Sequence, residues 1–195
     1  MVKCENLSGE DLKRIGAQVA DAFLAEPGAF SVLSPQAAHR LFALIVETCY
    51  RTGHLYTTGE NQEGFCVYWT KAERPGLWVQ LKMALKMAVI LPLKAGLAMK
   101  NSQSRWKPTE KRYAKHPDFV EVFLVAVRKE YQGQGHFRAM LQEPMDLAGK
   151  RGTICVLDTD SQVKAEKYAH VGFTVVDSRQ QPSGITMYAM EANGS

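Results

Sequence analysis

The sequence predicts one mixed α/β domain (α+β) spanning residues 1–195, with a central, mostly antiparallel sheet flanked by helices. Three observations carry that expectation. Two capped amphipathic helices open the chain, a hairpin of aromatic and β-branched residues follows, and the C-terminal half runs strand, glycine loop, helix, strand. With 195 residues the chain has the size of one large domain and buries a core without staples. Its 46% hydrophobic and 23% charged residues exclude wholesale disorder, collagen and long coiled coil.

Taken in order, residues 2–6 read as a short strand. Ser8 with Asp11 three residues on forms a capping box, after which Leu12, Ile15, Val19 and Phe23 recur at helical spacing until Pro27-Gly28. Ser34-Pro35 opens a second helix, with Leu41, Leu44, Ile45 and Cys49 on one face. At His54 the period changes to that of strands, and residues 54–58 and 64–70 read as a hairpin. Residues 76–116 form a helical insertion, in which 78–100 break at Pro92 into two helices and 100–118 make a basic, solvated loop or helix face. Within it Trp78, Met83, Met87 and Met99 recur at roughly helical spacing and read as core or acceptor-site lining rather than a membrane face. Residues 119–127 (FVEVFLVAV) have the shape of a central strand. Helix 137–149 should kink or break at Pro144; strand 153–157, helix 163–169 and strands 173–178 and 185–190 complete the chain.

The net charge of +4 is spread along the chain, without the dense basic stripe of a dedicated nucleic-acid binder. Cys4, Cys49, Cys66 and Cys155 lie far apart with no C-x-x-C pair, so they read as separate reduced thiols in a cytoplasmic protein. Cys155 falls in a buried strand, and a nucleophilic role is not expected of it. The histidines show no metal-ligand spacing, the N-terminus lacks an apolar signal region, and no window suits a bilayer span. Neither nucleic acid nor membrane is an expected partner.

Chemistry concentrates at Val127-Arg128-Lys129-Glu130-Tyr131-Gln132-Gly133-Gln134-Gly135-His136-Phe137-Arg138. A strand delivers the chain to glycines that then open a helix, whose unpaired amides and dipole suit a phosphate. An ordinary glycine turn is the competing reading. A P-loop is excluded because Gly-Lys-Ser/Thr occurs nowhere, and a dinucleotide fingerprint fits poorly because Arg138 stands at the third glycine position.

The loop resembles motif A of the GNAT superfamily of N-acetyltransferases, Gln/Arg-x-x-Gly-x-Gly/Ala, with Gln132 first, Gly135 central and Phe137 in place of the last small residue. Downstream, Leu157-Asp158-Thr159 and Tyr168-x-x-x-Gly172-Phe173 are similar to that superfamily's second signature, with Asp158 in the place of a glutamate. The element order also follows, firmly over residues 118–176, and the C-terminal half looks most similar to the puromycin-acetyltransferase-like branch.

The resemblance implies acetyl-CoA as cofactor and a small-molecule or protein primary amine as acceptor, attacked directly. It places the cofactor's diphosphate on Gln132, Gly133, Gln134, Gly135, His136, Phe137 and Arg138, and its thioester beside the amides of Val125, Ala126 and Val127. Tyr168, by its spacing to Gly172, matches the family's general acid; its other reading is packing of the short helix on the sheet. Glu121 is the only acid within the apolar strand and shares a face with Phe123 and Val125, which makes it the candidate base. An edge or solvent-facing carboxylate is its other reading. Lys164 stands where many relatives carry Asn, either reaching the cofactor's phosphates or lying in solvent. Two rival functions remain: a non-catalytic acyl-CoA sensor with this fold, and nucleic-acid binding through residues 100–115. The final strands could pair across a homodimer.

Overall fold

Both N-terminal helices begin where their capping residues stand. The computed structural model, which describes residues 1–194, places Ser8 in extended backbone ahead of α1 (Gly9–Leu24). Its hydroxyl accepts from the Asp11 amide at 3.1 Å, and the Asp11 carboxylate accepts from the Ser8 amide at 3.0 Å. Ser34 likewise caps α2 (Pro35–Arg51), whose Pro35 occupies the first turn. The two helices pack together through Ile15, Val19, Leu41 and Phe42, and through an aromatic cluster of Phe23, Phe30 and Phe42.

Among the described residues, seven strands form one sheet: β1 (Val2–Lys3), β2 (Leu55–Thr57), β3 (Gly64–Thr70), β4 (Phe119–Val127), β5 (Ile154–Thr159), β6 (Thr174–Gln180) and β7 (Thr186–Asn193), ordered β1-β2-β3-β4-β5-β7-β6. Every neighbouring pair is antiparallel except β4 and β5. The first strand is shorter than expected and stops at Lys3. One face carries α1 and α2; the other carries α6 (His136–Lys150) and α7 (Gln162–Ala169).

Residues 76–116 build α3 (Leu77–Ile90), α4 (Leu93–Gln103) and the single turn α5 (Thr109–Arg112). The break falls at Leu91-Pro92, as the proline required. Pro144, by contrast, neither breaks nor divides α6, which runs through it. Burial overrides propensity there: Met140, Leu141 and Ala148 on either side are fully buried against the sheet and hold the helix together across the missing N–H.

A second departure has functional weight. In the β3–β4 ladder Val67 faces Leu124 but Tyr68 faces Val122, so Phe123 is an extra residue, a β-bulge. Beyond it the alternation reverses. Leu124 and Ala126 join the α1–α2 core, while Val125 and Val127 turn to the α6–α7 side with Val120 and Val122. Val125 therefore does not share the face of Glu121, contrary to the period-two expectation.

All four cysteines are free and buried, and burial pushes the Cys49 and Cys155 thiols up to about 12. The free edge beside β7 is β6, where a register shift between Val175 and Asp177 adds a bulge next to the charged Asp177 and Arg179. Such features discourage further strand pairing.

Candidate active site

The bulge in β4 opens the sheet. The parallel pairing of β4 with β5 runs from Phe119↔Ile154 to Val122↔Leu157 and then ceases, although both strands continue. From Phe123 to Val127 the β5 side of β4 is therefore unpaired. Amides on that side have no strand to bond and are available to a guest.

The glycine loop sits at the end of that gap. After Val127 the chain makes a 3-10 turn over Lys129–Tyr131 and enters α6 through Gly135, whose φ of +87° only glycine adopts without strain. Gly135 has no side chain to cap the helix, so the amides opening α6 are left for a ligand. A Cβ placed on Gly133 or Gly135 would meet no protein atom within 4 Å, so the glycines border open space. The remaining predicted loop residues brace it: Gln132 Nε2 donates to the Val127 carbonyl at 3.2 Å, Gln134 Nε2 to the Glu130 carbonyl at 3.0 Å, and the His136 ring lies edge-on to Tyr131.

Phe137, the bulky residue at a small-residue position, turns its ring onto Tyr168 at 5.1 Å between centroids. Tyr168 packs in addition on Phe173, and it belongs to the same apolar cluster as Val125, Val127 and Cys66, on the α6–α7 side of the sheet. Burial raises its pKa far above the ordinary phenol range, so it stays protonated. The chain thus sets Tyr168 against the start of α6, on the face of the sheet to which Val125 and Val127 turn.

Glu121 lies on the α1–α2 face, 7% exposed, and is not solvent-facing. Its carboxylate accepts from Trp69 Nε1 at 2.8 Å and Thr109 Oγ1 at 3.1 Å, and it pairs with Arg74 Nε at 2.8 Å. Arg74 also meets Glu110, and Arg112 meets both Thr109 and Asp158, whose carboxylate additionally accepts from Trp106 Nε1 at 3.1 Å. This network of three carboxylates and two guanidiniums spans the strands flanking the gap. Burial raises the pKa of both Glu121 and Asp158, outweighing their cationic partners. Phe123, 43% exposed, stacks on Trp69 at 4.9 Å and forms an apolar wall beside the network.

Arg74 and Arg112 escaped the sequence reading. Arg112 belonged to a run expected to be solvated, yet its side chain is 3% exposed. Spacing could not have found either residue, because each bonds an acid about forty-five positions away in the chain.

Two basic residues assigned to the loop are committed elsewhere. Arg128 donates to the Asn61 carbonyl at 2.9 Å and pairs with Glu130, and Arg138 donates to the His170 carbonyl at 2.9 Å. Of the two readings of Lys164, the solvated one is corrected: the side chain is paired and largely buried. Its Nζ bonds Asp160 Oδ1 at 2.6 Å, in a pair whose side chains are 15% and 9% exposed. Asp160 Oδ2 accepts from the Ala29 amide at 2.6 Å, and a Cβ on Gly28 would sit 2.5 Å from that oxygen. The pair therefore fastens the α1–α2 connection to the start of α7. Lys164→Met should strand the buried Asp160 carboxylate and cost about 3 kcal/mol, measured by denaturant unfolding. A change within error would mean that the pair contributes no net stability.

Among the described residues, no group of three or more His, Cys, Asp and Glu side chains is placed to hold a metal ion.

Residues 113–193 match the family model of the acetyltransferase (GNAT) domain. No curated protein matches the chain. Among solved structures, arylalkylamine N-acetyltransferase 2 from Aedes aegypti is similar at 11% identity, over 98% of each chain, with a TM-score of 0.63. An N-acetyltransferase from Staphylococcus aureus Mu50 is 13% identical over 95% of this chain and 97% of its own, with a TM-score of 0.59. A structure described as an acetyltransferase is 18% identical over 98% of both chains, with a TM-score of 0.55. At these identities the likeness speaks for the fold, across nearly the whole chain.

Proposed function

We propose that the chain moves an acetyl group from acetyl-CoA to a primary amine by direct attack, a reading supported by the match of residues 113–193 to the acetyltransferase (GNAT) domain model and by the likeness in fold to solved acetyltransferases. The observation that carries the reading is the gap between β4 and β5, closed at one end by the Gly135-capped helix, against whose start Tyr168 is set.

Acetyl-CoA supplies the activated acyl group as a thioester. The amides opening α6 hold its diphosphate, which is why Gly133 and Gly135 must leave the space before them free. Of the amides of Val125, Ala126 and Val127, those that alternate onto the unpaired side of β4, opposite its ladder with β3, stabilise the charge that develops on the thioester oxygen; one such donor is worth roughly 3 kcal/mol. The amine nitrogen bonds the carbonyl carbon as the carbon–sulfur bond breaks. Glu121 takes the proton that the amine loses, through intervening water, since its partners enclose it. Tyr168 gives its proton to the departing thiolate. The buried, raised thiols offer no acyl-enzyme route, in keeping with direct transfer.

Calorimetric titration tests the cofactor reading. Acetyl-CoA should bind saturably and NAD should not, and Gly135→Val should weaken acetyl-CoA by about tenfold or more, the worth of a charge-assisted hydrogen bond. An amine screen by thiol release then tests transfer. Equal affinity in the Gly135 variant would remove the loop from the cofactor site. Binding without turnover on any amine would favour the non-catalytic acyl-CoA-binding reading.

A further inference from the structure

Helix α3 is apolar on both sides but packed on only one. Val79, Met83, Met87 and Ile90 lie half-buried on its inner side, and the helix lies against α2. The outer side carries Trp78, Leu81, Leu85 and Val89 in helical register, and α4 continues with Leu93 and Leu97. Among the described residues, seven of the thirteen exposed large hydrophobic side chains fall between Leu77 and Leu97. Trp78, expected in the core or at the acceptor site, is 77% exposed. An apolar helix side is normally buried, so the outer side of α3 lacks a partner.

The charge around this face says what the partner is. Residues 75–108 contain Lys82, Lys86, Lys94, Lys100, Arg105 and Lys107 and not one aspartate or glutamate. Lys82 and Lys86 are exposed one turn apart on the flank of the Leu81–Leu85 stripe, and Lys94 is exposed at the start of α4. A second copy pairing about a twofold axis would set these lysines against themselves. A surface that is apolar beneath and anionic on top suits them: lysines extend to headgroups while leucines and an indole enter the acyl boundary.

We propose that α3 and the start of α4 form a peripheral docking face for an anionic phospholipid bilayer. Among the described residues no helix is long and apolar enough to cross a membrane, so the face lies on the surface. The inference rests on α3 and α4 alone and stands whether or not the transfer chemistry is as proposed.

The test is flotation of the full chain with vesicles of phosphatidylglycerol and phosphatidylcholine in equal parts, beside vesicles of phosphatidylcholine alone. The protein should float with the anionic vesicles, and Trp78 emission should shift to the blue, a shift absent in Trp78→Phe. Lys82→Gln/Lys86→Gln should weaken binding by on the order of tenfold or more, as should added salt. Leu81→Ser/Leu85→Ser should abolish it, with the circular dichroism of the unaltered chain as a check on folding. No flotation with anionic vesicles overturns the proposal. So does a dimer in solution that the leucine variant dissociates, for the face is then covered by a second copy. Retention on a nucleic-acid column without vesicle binding would overturn it in favour of a polyanion.

Discussion

Tyr168→Phe should lower turnover by on the order of 10²–10³-fold while leaving acetyl-CoA affinity unchanged, as read from kcat by thiol release and from calorimetry. The substitution is clean because the tyrosine's packing belongs to its ring. Contacts with Phe137 at 5.1 Å and Phe173 at 5.9 Å survive in phenylalanine, and only the hydroxyl is lost. Among the described residues that hydroxyl makes no hydrogen bond, so its removal strands no partner and should change the melting temperature little. Burial holds the phenol protonated well beyond neutral pH, so the acid is already charged with its proton when the thiolate leaves. Unchanged turnover in this variant would remove Tyr168 from the chemistry and leave it a wedge between α6 and α7. A fall in affinity matched by no fall in kcat would make it a cofactor contact instead.

The residues named above divide according to how far their determinants reach along the chain. Ser8 with Asp11 and Ser34 with Pro35 were legible because capping is settled within four residues. The glycine loop was legible for the same reason, as a strand, two glycines and a helix start in immediate succession. The bulge at Phe123 was not. In FVEVFLVAV both faces of the strand are apolar, so one extra residue leaves no break in the pattern, yet it reverses the facing of everything after it. The burial of Lys164 and Arg112 was not legible because distant segments build it: the α1–α2 connection, which holds Asp160, in one case and Asp158 on β5 in the other. That Trp78 lies outside the core was not legible because helical spacing shows which residues share a side and not whether anything covers that side.

Glu121→Gln should lower kcat by on the order of 10²-fold at neutral pH and erase the acidic limb of the pH–rate profile. The limb follows from where the carboxyl sits. Burial raises its pKa against the pull of Arg74 and the hydrogen bonds of Trp69 and Thr109; Glu110, Arg112 and Asp158 complete the charged surroundings. As base it must be ionised, so activity should rise with pH through that raised value, a rise the amide cannot show. Stability runs the opposite way. The folded protein keeps on Glu121 a proton that the unfolded chain releases, so this group's contribution is fully present below the ordinary carboxylate range and is lost as pH rises through the raised folded value. Asp158, also raised, adds in the same direction. Relative to Glu121→Gln, the unaltered protein should therefore lose melting temperature across that window. Arg74→Met separates base from scaffold. Removing the guanidinium leaves a carboxylate 9% exposed at its side chain without its cation, which should cost about 3 kcal/mol and move the acidic limb to higher pH. If Glu121→Gln kept both its turnover and its acidic limb while Arg74→Met lost stability, the glutamate would be an anchor for α5, and the base would have to be sought elsewhere along the gap.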